Sequence, residues 1–426
     1  MKYVLAILVL SVIIIIHELG HFIIAKASGV KVVEFSLGMG PRLIKFTKGG
    51  TMYSIKLFLL GGSCQMLGED EDSSEEGSFN SKSVWKRMAI IAAGPIANFV
   101  LAFVGAVLLI GIVGYDPAIV HSVKENSSAY EAGLEAGDHI VDVNGTNITF
   151  YGDYSLYLMF HEGEEMDVTV LRDGKEQLIT FTPDFIEEDV YQIGIYMDPE
   201  KPLISSIVEG YPAEEAGLKG NDIILNVDGN VCNTSDDVSK YIQEAKGEEV
   251  NIVVSRDGKE VTIKLTPEIV HREYYDYGYY LSGERVKCNA WDTIGYSFKQ
   301  VGYWIKAVFM SFKLLFSGQA GFNDLSGPVG IVTAIGDVVE ESKSDGGLYI
   351  FLNIVNWTIM ISANLGVMNL LPIPALDGGR LIFLVIEAIR RKPIPKEKEG
   401  MVHFVGIVLL LILSVAVLVN DVRKLF

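Results

Sequence analysis

Three long apolar stretches constrain this chain more than any other feature. Residues 3–25, 88–114 and 401–420 are each long enough to cross a bilayer as a helix, which takes about 20 apolar residues. A fourth stretch, residues 349–371, carries four asparagines and is more polar, yet its length also fits a span. The sequence therefore predicts a multi-pass α-helical membrane protein with four spans.

The first stretch has an alternative interpretation as a cleaved signal peptide, because Lys2 precedes its apolar run. No small-residue cleavage site follows, however, and His17, Glu18 and His21 are unusual in the apolar region of a signal peptide. We therefore expect residues 1–25 to remain in the protein as the first transmembrane helix.

The charge is divided unevenly along the chain. The whole sequence carries a formal charge of −19, whereas residues 115–287 contain 35 acidic and 13 basic residues, a balance of −22. A strongly acidic insert therefore interrupts a near-neutral membrane portion, and its charge argues against a nucleic-acid partner. The three cysteines, Cys64, Cys232 and Cys288, are scattered and indicate neither a disulfide framework nor a cysteine metal site.

Basic residues crowd two of the connections between the spans. Nine lie in residues 26–87 and six lie in residues 380–398. By the positive-inside rule, both connections are expected in the cytoplasm. Four spans then place both termini and the acidic insert on the extracytoplasmic side of the cell membrane.

The acidic insert contains an internal repeat with an offset of 84 residues. Residues 128–145 align with residues 212–229, and the register persists where the Arg-Asp-Gly-Lys-Glu segment 172–176 matches 256–260. An unbroken register of this length predicts a duplicated domain. Short β-branched runs and an Arg-Asp-Gly hairpin make each copy β-rich.

Both copies resemble PDZ domains of the kind attached to bacterial proteases. We define the first repeat as residues 115–186 and the second repeat as residues 187–270. PDZ domains receive a peptide as an added strand and hold its terminal carboxylate on backbone amides. The resemblance places this loop of the second repeat at Ile193, Gly194 and Ile195. Alternatively, one or both copies only cap the membrane portion and bind no peptide.

A His-Glu-Leu-Gly-His segment lies at the end of the first span. Residues four apart share one face of a helix, so the imidazoles of His17 and His21 can reach one metal ion. Glu18 can act there as a general base without being a ligand. An ionisable cluster inside a span is costly and usually functional. The alternative is a polar cluster that stabilises helix packing.

Catalytic zinc usually has three protein ligands, so a third side chain is expected. Asp377 follows the third span within the segment Asn-Leu-Leu-Pro-Ile-Pro-Ala-Leu-Asp-Gly-Gly, residues 369–379. Pro372 and Pro374 break the helix and expose backbone that must be satisfied inside the protein. A carboxylate at this depth suits a metal, although this segment alone is equally compatible with a cytoplasmic turn.

Together these segments resemble the site-2 protease family, and within it the bacterial sigma-factor-regulating branch with two PDZ domains. The likeness also includes Gly-Pro-Ile-Ala-Asn at residues 94–98 and Ser-Gly-Pro-Val-Gly at residues 326–330. It extends over essentially the whole chain. Arg380 departs from the pattern, because His more often follows the glycine pair, but this position has no assigned role.

The resemblance implies an intramembrane zinc metalloendopeptidase. Its expected substrates are single-pass membrane proteins, such as anti-sigma factors or signal-peptide remnants, cut within the lipid bilayer near its cytoplasmic side. Glu18 is the implied catalytic base, and Asn369 matches a position that helps to hold substrate. The implied ligands of Zn²⁺ are His17, His21 and Asp377.

The connection of residues 26–87 contains a predicted β-hairpin. Residues 45–53 have the pattern of a hairpin, and residues 54–60 continue as an apolar strand. A free edge on that strand could pair with an unwound substrate. The resemblance implies that this β element is membrane-associated; the alternative is an ordinary cytoplasmic hairpin.

The remaining segments complete the expected order. Residues 271–348 are predicted to be a linker with an amphipathic helix, placed either on the membrane surface or under the PDZ pair. Residues 349–380 combine the third span with the Asp motif, and residues 400–421 form the fourth span. Two rival functions are a non-enzymatic scaffold, which has no need of Glu18, and a metal transporter, which requires a polar path through the spans.

Overall fold

The computed structural model describes residues 2–69, 75–198, 201–343 and 345–424. Four helices in the described ranges are long and apolar enough to cross a membrane. Numbered in chain order, they are α1 (Lys2–Ala27), α2 (Val84–Val113), α9 (Gly347–Leu370) and α11 (Lys396–Arg423). The four spans expected from the sequence are thus present as candidate membrane helices.

The chain divides into two compact units. The membrane unit comprises Met1–Ala118, Asn147–Tyr157 and Gly283–Phe426, and the insert unit comprises Ile119–Thr146 and Leu158–Ser282. Besides the four spans, the membrane unit contains four shorter or amphipathic helices and a β-hairpin. These are β1 (Val32–Lys48), β2 (Thr51–Met66), most of α4 (Tyr151–Leu158), α7 (Ala290–Ser317), α8 (Pro328–Glu341) and α10 (Asp377–Arg390).

Glycines allow the membrane helices to pack closely. A Cβ on Gly20 of α1 would lie 2.2 Å from the carbonyl oxygen of Ala93 on α2. A Cβ on Gly105 of α2 would lie 2.9 Å from Cγ1 of Ile359 on α9. Small residues let helix backbones approach where the bilayer offers no hydrophobic driving force between helices. The two crossings hold α1 and α9 on α2.

The predicted amphipathic helix is present as α7. Its Val301 is buried in a cluster with α2 and α9. Trp291, Phe298, Phe309 and Phe316 are exposed. One face of this helix therefore packs on the membrane helices, and its large aromatic side chains lie elsewhere on its surface.

The hairpin predicted at residues 45–53 is confirmed. Gly49 and Gly50 form the turn with φ of 60° and 75°, a region that glycine adopts without steric cost. Lys48 pairs with Thr51 across the turn, and the antiparallel ladder extends through both long strands.

The free edge expected on residues 54–60 is wrong for the first residues of that strand. Residues 52–55 pair both with residues 44–47 and with residues 34–37, so the start of that strand lies inside the sheet. Because β1 is long enough to bend back, it pairs with β2 twice. Residues 62–66 pair with residues 32–37 on one side and form a border of the sheet.

The insert unit is built from short strands and helices. The first repeat contains β3 (Val120–Val123), α3 (Ser128–Glu131), β4 (His139–Val143), β5 (Thr146–Asn147), β6 (Met166–Arg172), β7 (Lys175–Phe181) and the start of β8 (Asp184–Gln192), which continues into the second repeat. The second contains β9 (Ile195–Met197), β10 (Ile204–Ile207), α5 (Pro212–Glu215), β11 (Ile223–Val227), β12 (Asn230–Val231), α6 (Ser235–Glu244), β13 (Val250–Arg256), β14 (Lys259–Leu265) and the start of β15 (Glu268–Asp276). A last strand, β16 (Tyr279–Leu281), follows.

Both repeats have the same sheet, with order β5-β4-β6-β7 in the first and β12-β11-β13-β14 in the second. β8 pairs antiparallel with β15 along its whole length. β9 pairs with β10, and its counterpart 84 residues later, β16, pairs with β3. The strand that completes the first repeat therefore follows the second one, inside the segment 271–348 expected as a linker. The consecutive division expected from the sequence differs here because strand pairing joins residues far apart in the chain.

One buried ion pair recurs in both repeats. Arg172 donates two hydrogen bonds of 2.6 Å to the carboxylate of Asp138, and Arg256 donates bonds of 2.8 and 2.6 Å to that of Asp222. Both carboxylates are 1% exposed. The same guanidinium also donates to a glycine carbonyl in each repeat. The repeated Arg-Asp-Gly segment thus fixes the loop that precedes β4 or β11.

Candidate metal centre

Two imidazoles on α1 face the same point in the membrane unit. His17 and His21 are separated by one helical turn, and both are buried. Their Nε2 atoms lie 3.2 Å apart. The spacing of four residues therefore places two nitrogen donors on one side of an otherwise apolar helix.

A carboxylate from the far end of the chain completes the group. α9 ends at Leu370 and α10 begins at Asp377, so a short turn after the third span carries this side chain. Asp377 Oδ2 lies 3.2 Å from His17 Nε2 and 3.3 Å from His21 Nε2. Among the described residues, these three side chains form a buried group that could hold a metal ion.

The hydrogen bond of His21 Nδ1 leaves the Nε2 of a neutral imidazole free to bind a cation. His21 Nδ1 lies 2.9 Å from the carbonyl oxygen of Ile90, which only accepts, so Nδ1 carries the proton. The lone pair of Nε2 then points toward His17 and the Asp377 carboxylate, an arrangement that favours a positive charge between them. Tetrahedral zinc, with bonds of about 2.0–2.1 Å, separates its ligand atoms by about 3.3 Å. The donor set fits zinc.

α2 shapes the site from the opposite side. The Asn98 amide is fully buried and lies 3.2 Å from His17 Nδ1. The Asn98 atom that faces His17 is the amide nitrogen Nδ2. When His17 binds a metal through Nε2, its Nδ1 carries the proton, so the amide has to turn its oxygen toward the ring to accept that hydrogen bond. A Cβ on Gly94 would lie 2.2 Å from His21 Nε2, so only glycine fits there.

Glu18 lies between the two histidines in sequence but is not a member of the ligand group. A Cβ on Gly62 of β2 would lie 2.9 Å from Glu18 Cγ and 3.0 Å from Ile14 Cγ2. Glycine therefore lets the border segment, residues 62–66, approach the face of α1 that carries Glu18. The carboxylate lies beside this segment.

The predicted substrate residues lie in two places. Asn369 is half-buried in the last turn of α9, shortly before the turn that carries Asp377. Ile193, Gly194 and Ile195 belong to the insert unit, where they line a groove of about 400 Å³. The same groove is lined by Val208, Tyr211, Val238, Ser239 and Ile242.

Sequence reasoning assigned no role to several residues that shape the centre. Asn98 and Gly94 carried only the family likeness, although their spacing of four residues places both on one face of α2. The Ile90 carbonyl and Gly62 gave no signal, because their roles depend on how α2 and β2 pack against α1.

The chain is similar to known proteins along its length. Residues 5–413 match a family described as Peptidase family M50. "Zinc metalloprotease RasP" of Geobacillus kaustophilus is 30% identical over 99% of this chain and 97% of its own. "Regulator of sigma-E protease RseP" of Escherichia coli is 31% identical over 98% of each chain.

A solved structure matches part of the chain. The HtrA3 PDZ domain bound to a phage-derived ligand is 18% identical, over 20% of this chain and 92% of that one, with a TM-score of 0.18. A TM-score this low carries no argument about the site. The likeness along the whole chain is therefore the informative comparison.

Proposed function

Given that this chain belongs to peptidase family M50, we propose that it cuts transmembrane segments with zinc bound by His17, His21 and Asp377. It is a zinc metalloprotease of regulated intramembrane proteolysis, which the family match and the relatives named zinc metalloprotease RasP and regulator of sigma-E protease support. The observation that carries the assignment of the ligands is their mutual separation of 3.2–3.3 Å at the end of an apolar helix.

Each residue of the centre then has a chemical role. Zinc supplies Lewis-acid chemistry that polarises the scissile carbonyl. Glu18 accepts the proton of the attacking water and delivers it to the leaving nitrogen. The Asn98 amide and the Ile90 carbonyl hold the imidazoles in orientation and tautomer.

The border segment offers a place for the unwound substrate. A peptide bond in a helix is protected by its own hydrogen bonds, so the substrate must unwind before attack. We propose that its extended backbone pairs with residues 62–66, which lie next to Glu18 at Gly62. Pairing supplies the backbone hydrogen bonds that lipid does not. Asn369 holds the same chain near Asp377.

We propose single-pass membrane proteins of the anti-sigma-factor kind as substrates. The Escherichia coli relative is named a regulator of sigma-E protease, which supports this class. The basic connections at residues 26–87 and 380–398 support a cytoplasmic position for both. The termini and the acidic insert then lie outside the cell membrane, and the centre opens toward the cytoplasmic side.

We further propose that the second repeat acts as a PDZ domain. Its groove runs between β9 and α6, and Gly194 lies on the groove with a φ of 77°. Peptides bind such grooves as an added strand, with their carboxylate on backbone amides. A substrate trimmed outside the membrane ends in a new carboxylate, which this groove would capture.

Cleavage by the purified protein tests the function. Wild type in liposomes is expected to cut an anti-sigma-factor membrane segment, whereas Asp377→Ala is expected to lose both zinc and cleavage, because two histidines leave catalytic zinc under-ligated. Asp337→Ala, an exposed carboxylate on α8, is the matched control and keeps both. Equal zinc in Asp377→Ala and wild type would remove Asp377 from the centre.

A further inference from the structure

The turn that carries Asp377 contains a backbone conformation that needs support. α9 ends at Leu370 and α10 begins at Asp377. Between them, Ala375 has a φ of 79°, in the left-handed region that alanine rarely adopts. Non-glycine residues keep such a conformation only when their surroundings hold it. Ala375 lies two residues before the proposed ligand Asp377, so its conformation bears on the position of that carboxylate.

A histidine on α11 provides one contact to this backbone. The Ala375 N–H donates to His403 Nδ1 at 2.9 Å. Because Nδ1 accepts, the ring proton is on Nε2, which faces the Glu399 carboxylate at 3.9 Å one turn earlier. The imidazole therefore presents its acceptor to the turn in a defined orientation.

A glycine one turn further provides a second contact. A Cβ on Gly406 would lie 2.5 Å from Pro374 Cβ and 2.6 Å from the Pro374 carbonyl oxygen. Among residues 401–409, all within the described part of the chain, His403 and Gly406 alone are not exposed. Within residues 401–409, α11 therefore contacts the rest of the membrane unit at the turn before Asp377 and, through the His403 ring, at Phe383 of α10.

We propose that His403 is a positioning residue for the metal ligand Asp377. Its Nδ1 holds the left-handed backbone of Ala375, and through that backbone it sets where the carboxylate meets His17 and His21. Gly406 lets α11 come close enough for this bond. The inference rests on the proposed role of Asp377 as a zinc ligand.

Zinc release from the full-length protein tests the proposal. His403→Phe keeps a ring but removes the acceptor, and it is expected to release zinc to a chelator about tenfold faster than wild type, as losing a supporting contact of a ligand does. His403→Asn places an amide oxygen the same number of bonds from Cα as Nδ1, and it is expected to stay close to wild type. Leu409→Ala, an exposed change on the same helix, is the matched control.

Two further variants separate positioning from general packing. In an Ala375→Gly background, glycine adopts the positive φ freely, so His403→Phe should accelerate zinc release much less. Gly406→Ala leaves His403 intact but pushes α11 from the turn, and it should also release zinc faster. This variant carries the test if His403→Phe does not fold.

The outcomes are distinct from those for the proposed function. A wild-type release rate in His403→Phe or in Gly406→Ala overturns the positioning role, and so does His403→Asn behaving like His403→Phe. An undiminished effect in the Ala375→Gly background overturns it as well. If Asp377→Ala itself retains zinc, the ligand assignment fails instead.

Discussion

The two repeats contain a loop with the same backbone conformation but with different side chains around it. Gly194 and Gly278 lie 84 residues apart, with φ of 77° and 73°. In both loops the glycine carbonyl accepts a hydrogen bond from the residue directly after a strand, from Val208 N–H after β10 at 2.9 Å and from Lys124 N–H after β3 at 2.7 Å. The backbone of the proposed carboxylate-binding loop is therefore present twice.

The side chains around the two glycines are not alike. Gly278 N–H donates to Asp276 Oδ1 at 2.9 Å, and Asp276 pairs with Lys124 at 2.7 Å. The Lys124 ammonium, together with Gly278 N–H, holds the pKa of the Asp276 carboxyl below its usual range. The equivalent positions of the second repeat carry the neutral residues Gln192 and Val208.

This difference shows how a duplicated loop can keep its shape and change its use. A PDZ-type loop holds an incoming carboxylate on backbone amides. The first repeat already supplies a carboxylate of its own to such an amide, so an incoming one meets like charge. The second repeat has a groove of about 400 Å³ beside Gly194, and the residue two positions before the glycine is one difference between the two loops.

The largest expected effect tests what the repeats share. Arg256→Ala leaves the carboxylate of Asp222, which is 1% exposed, without its ion-pair partner. Removing one partner of a buried pair costs about 3 kcal/mol of unfolding free energy. Hydrogen exchange of the β11 amides measures this loss and should be faster in Arg256→Ala. The corresponding experiment in the first repeat uses Arg172→Ala and the β4 amides. Unchanged exchange in both variants would contradict the shared anchoring role.

The same pair gives a pH control. Arg256 holds the pKa of Asp222 below its usual range. A lowered pKa in the folded state contributes stability that is present above the unfolded value, about 3.9, and is lost as pH falls through the folded value. The difference between wild type and Arg256→Ala should therefore shrink under acid conditions. A stability difference between wild type and Arg256→Ala that grows as the pH falls would contradict a lowered pKa for Asp222.

The second prediction tests the groove. Ser239 is exposed on α6 and lines the groove, so Ser239→Trp fills it without disturbing the core. Affinity for a peptide with a free apolar carboxyl terminus should fall by about tenfold or more, a loss of about 1.4 kcal/mol. Titration calorimetry measures this, and Lys240→Trp, on the neighbouring exposed position, is the control. Equal loss in both variants would mean that the groove is not the binding site.

The smallest expected effect tests whether Asp276 accounts for the difference between the loops of the two repeats. Asp276→Ala removes the internal carboxylate from Gly278 N–H and breaks its pair with Lys124. The first-repeat loop then has a free amide and an unpaired cation nearby, so weak binding of a second peptide carboxylate is expected. Titration in the Ser239→Trp background isolates this site. No binding there would show that Asp276 is not what separates the repeats.

The grouping of the three proposed metal ligands was largely predictable from the sequence. The spacing of His17 and His21 in a span indicates two donors on one face, and the broken helix before Asp377 indicates a third. These features are local, so they are readable without the fold. The role of Asn98 could not be predicted, because it depends on how α1 packs against α2. The close contact of Gly20 with Ala93 marks that packing.

The parts that sequence reasoning missed depend on pairing between distant residues. The strand β16 joins β3 across the whole second repeat, which a consecutive repeat does not reveal. Residues 54 and 55 lie inside the sheet and residues 62–66 form one of its borders, because β1 pairs with β2 twice. In the sequence His403 is an isolated histidine within a span. Only the structure shows that the Ala375 N–H donates a hydrogen bond to its Nδ1.

The central claim is that α1 supplies two of the three proposed zinc ligands and also the proton acceptor. Glu18→Gln is nearly isosteric and does not accept a proton at neutral pH, so it separates the two roles. Zinc content and cleavage of a transmembrane substrate should be measured on the same preparation of wild type and variant. We expect the variant to keep one zinc per chain and to lose cleavage. Substantial turnover by the zinc-loaded variant would contradict the account.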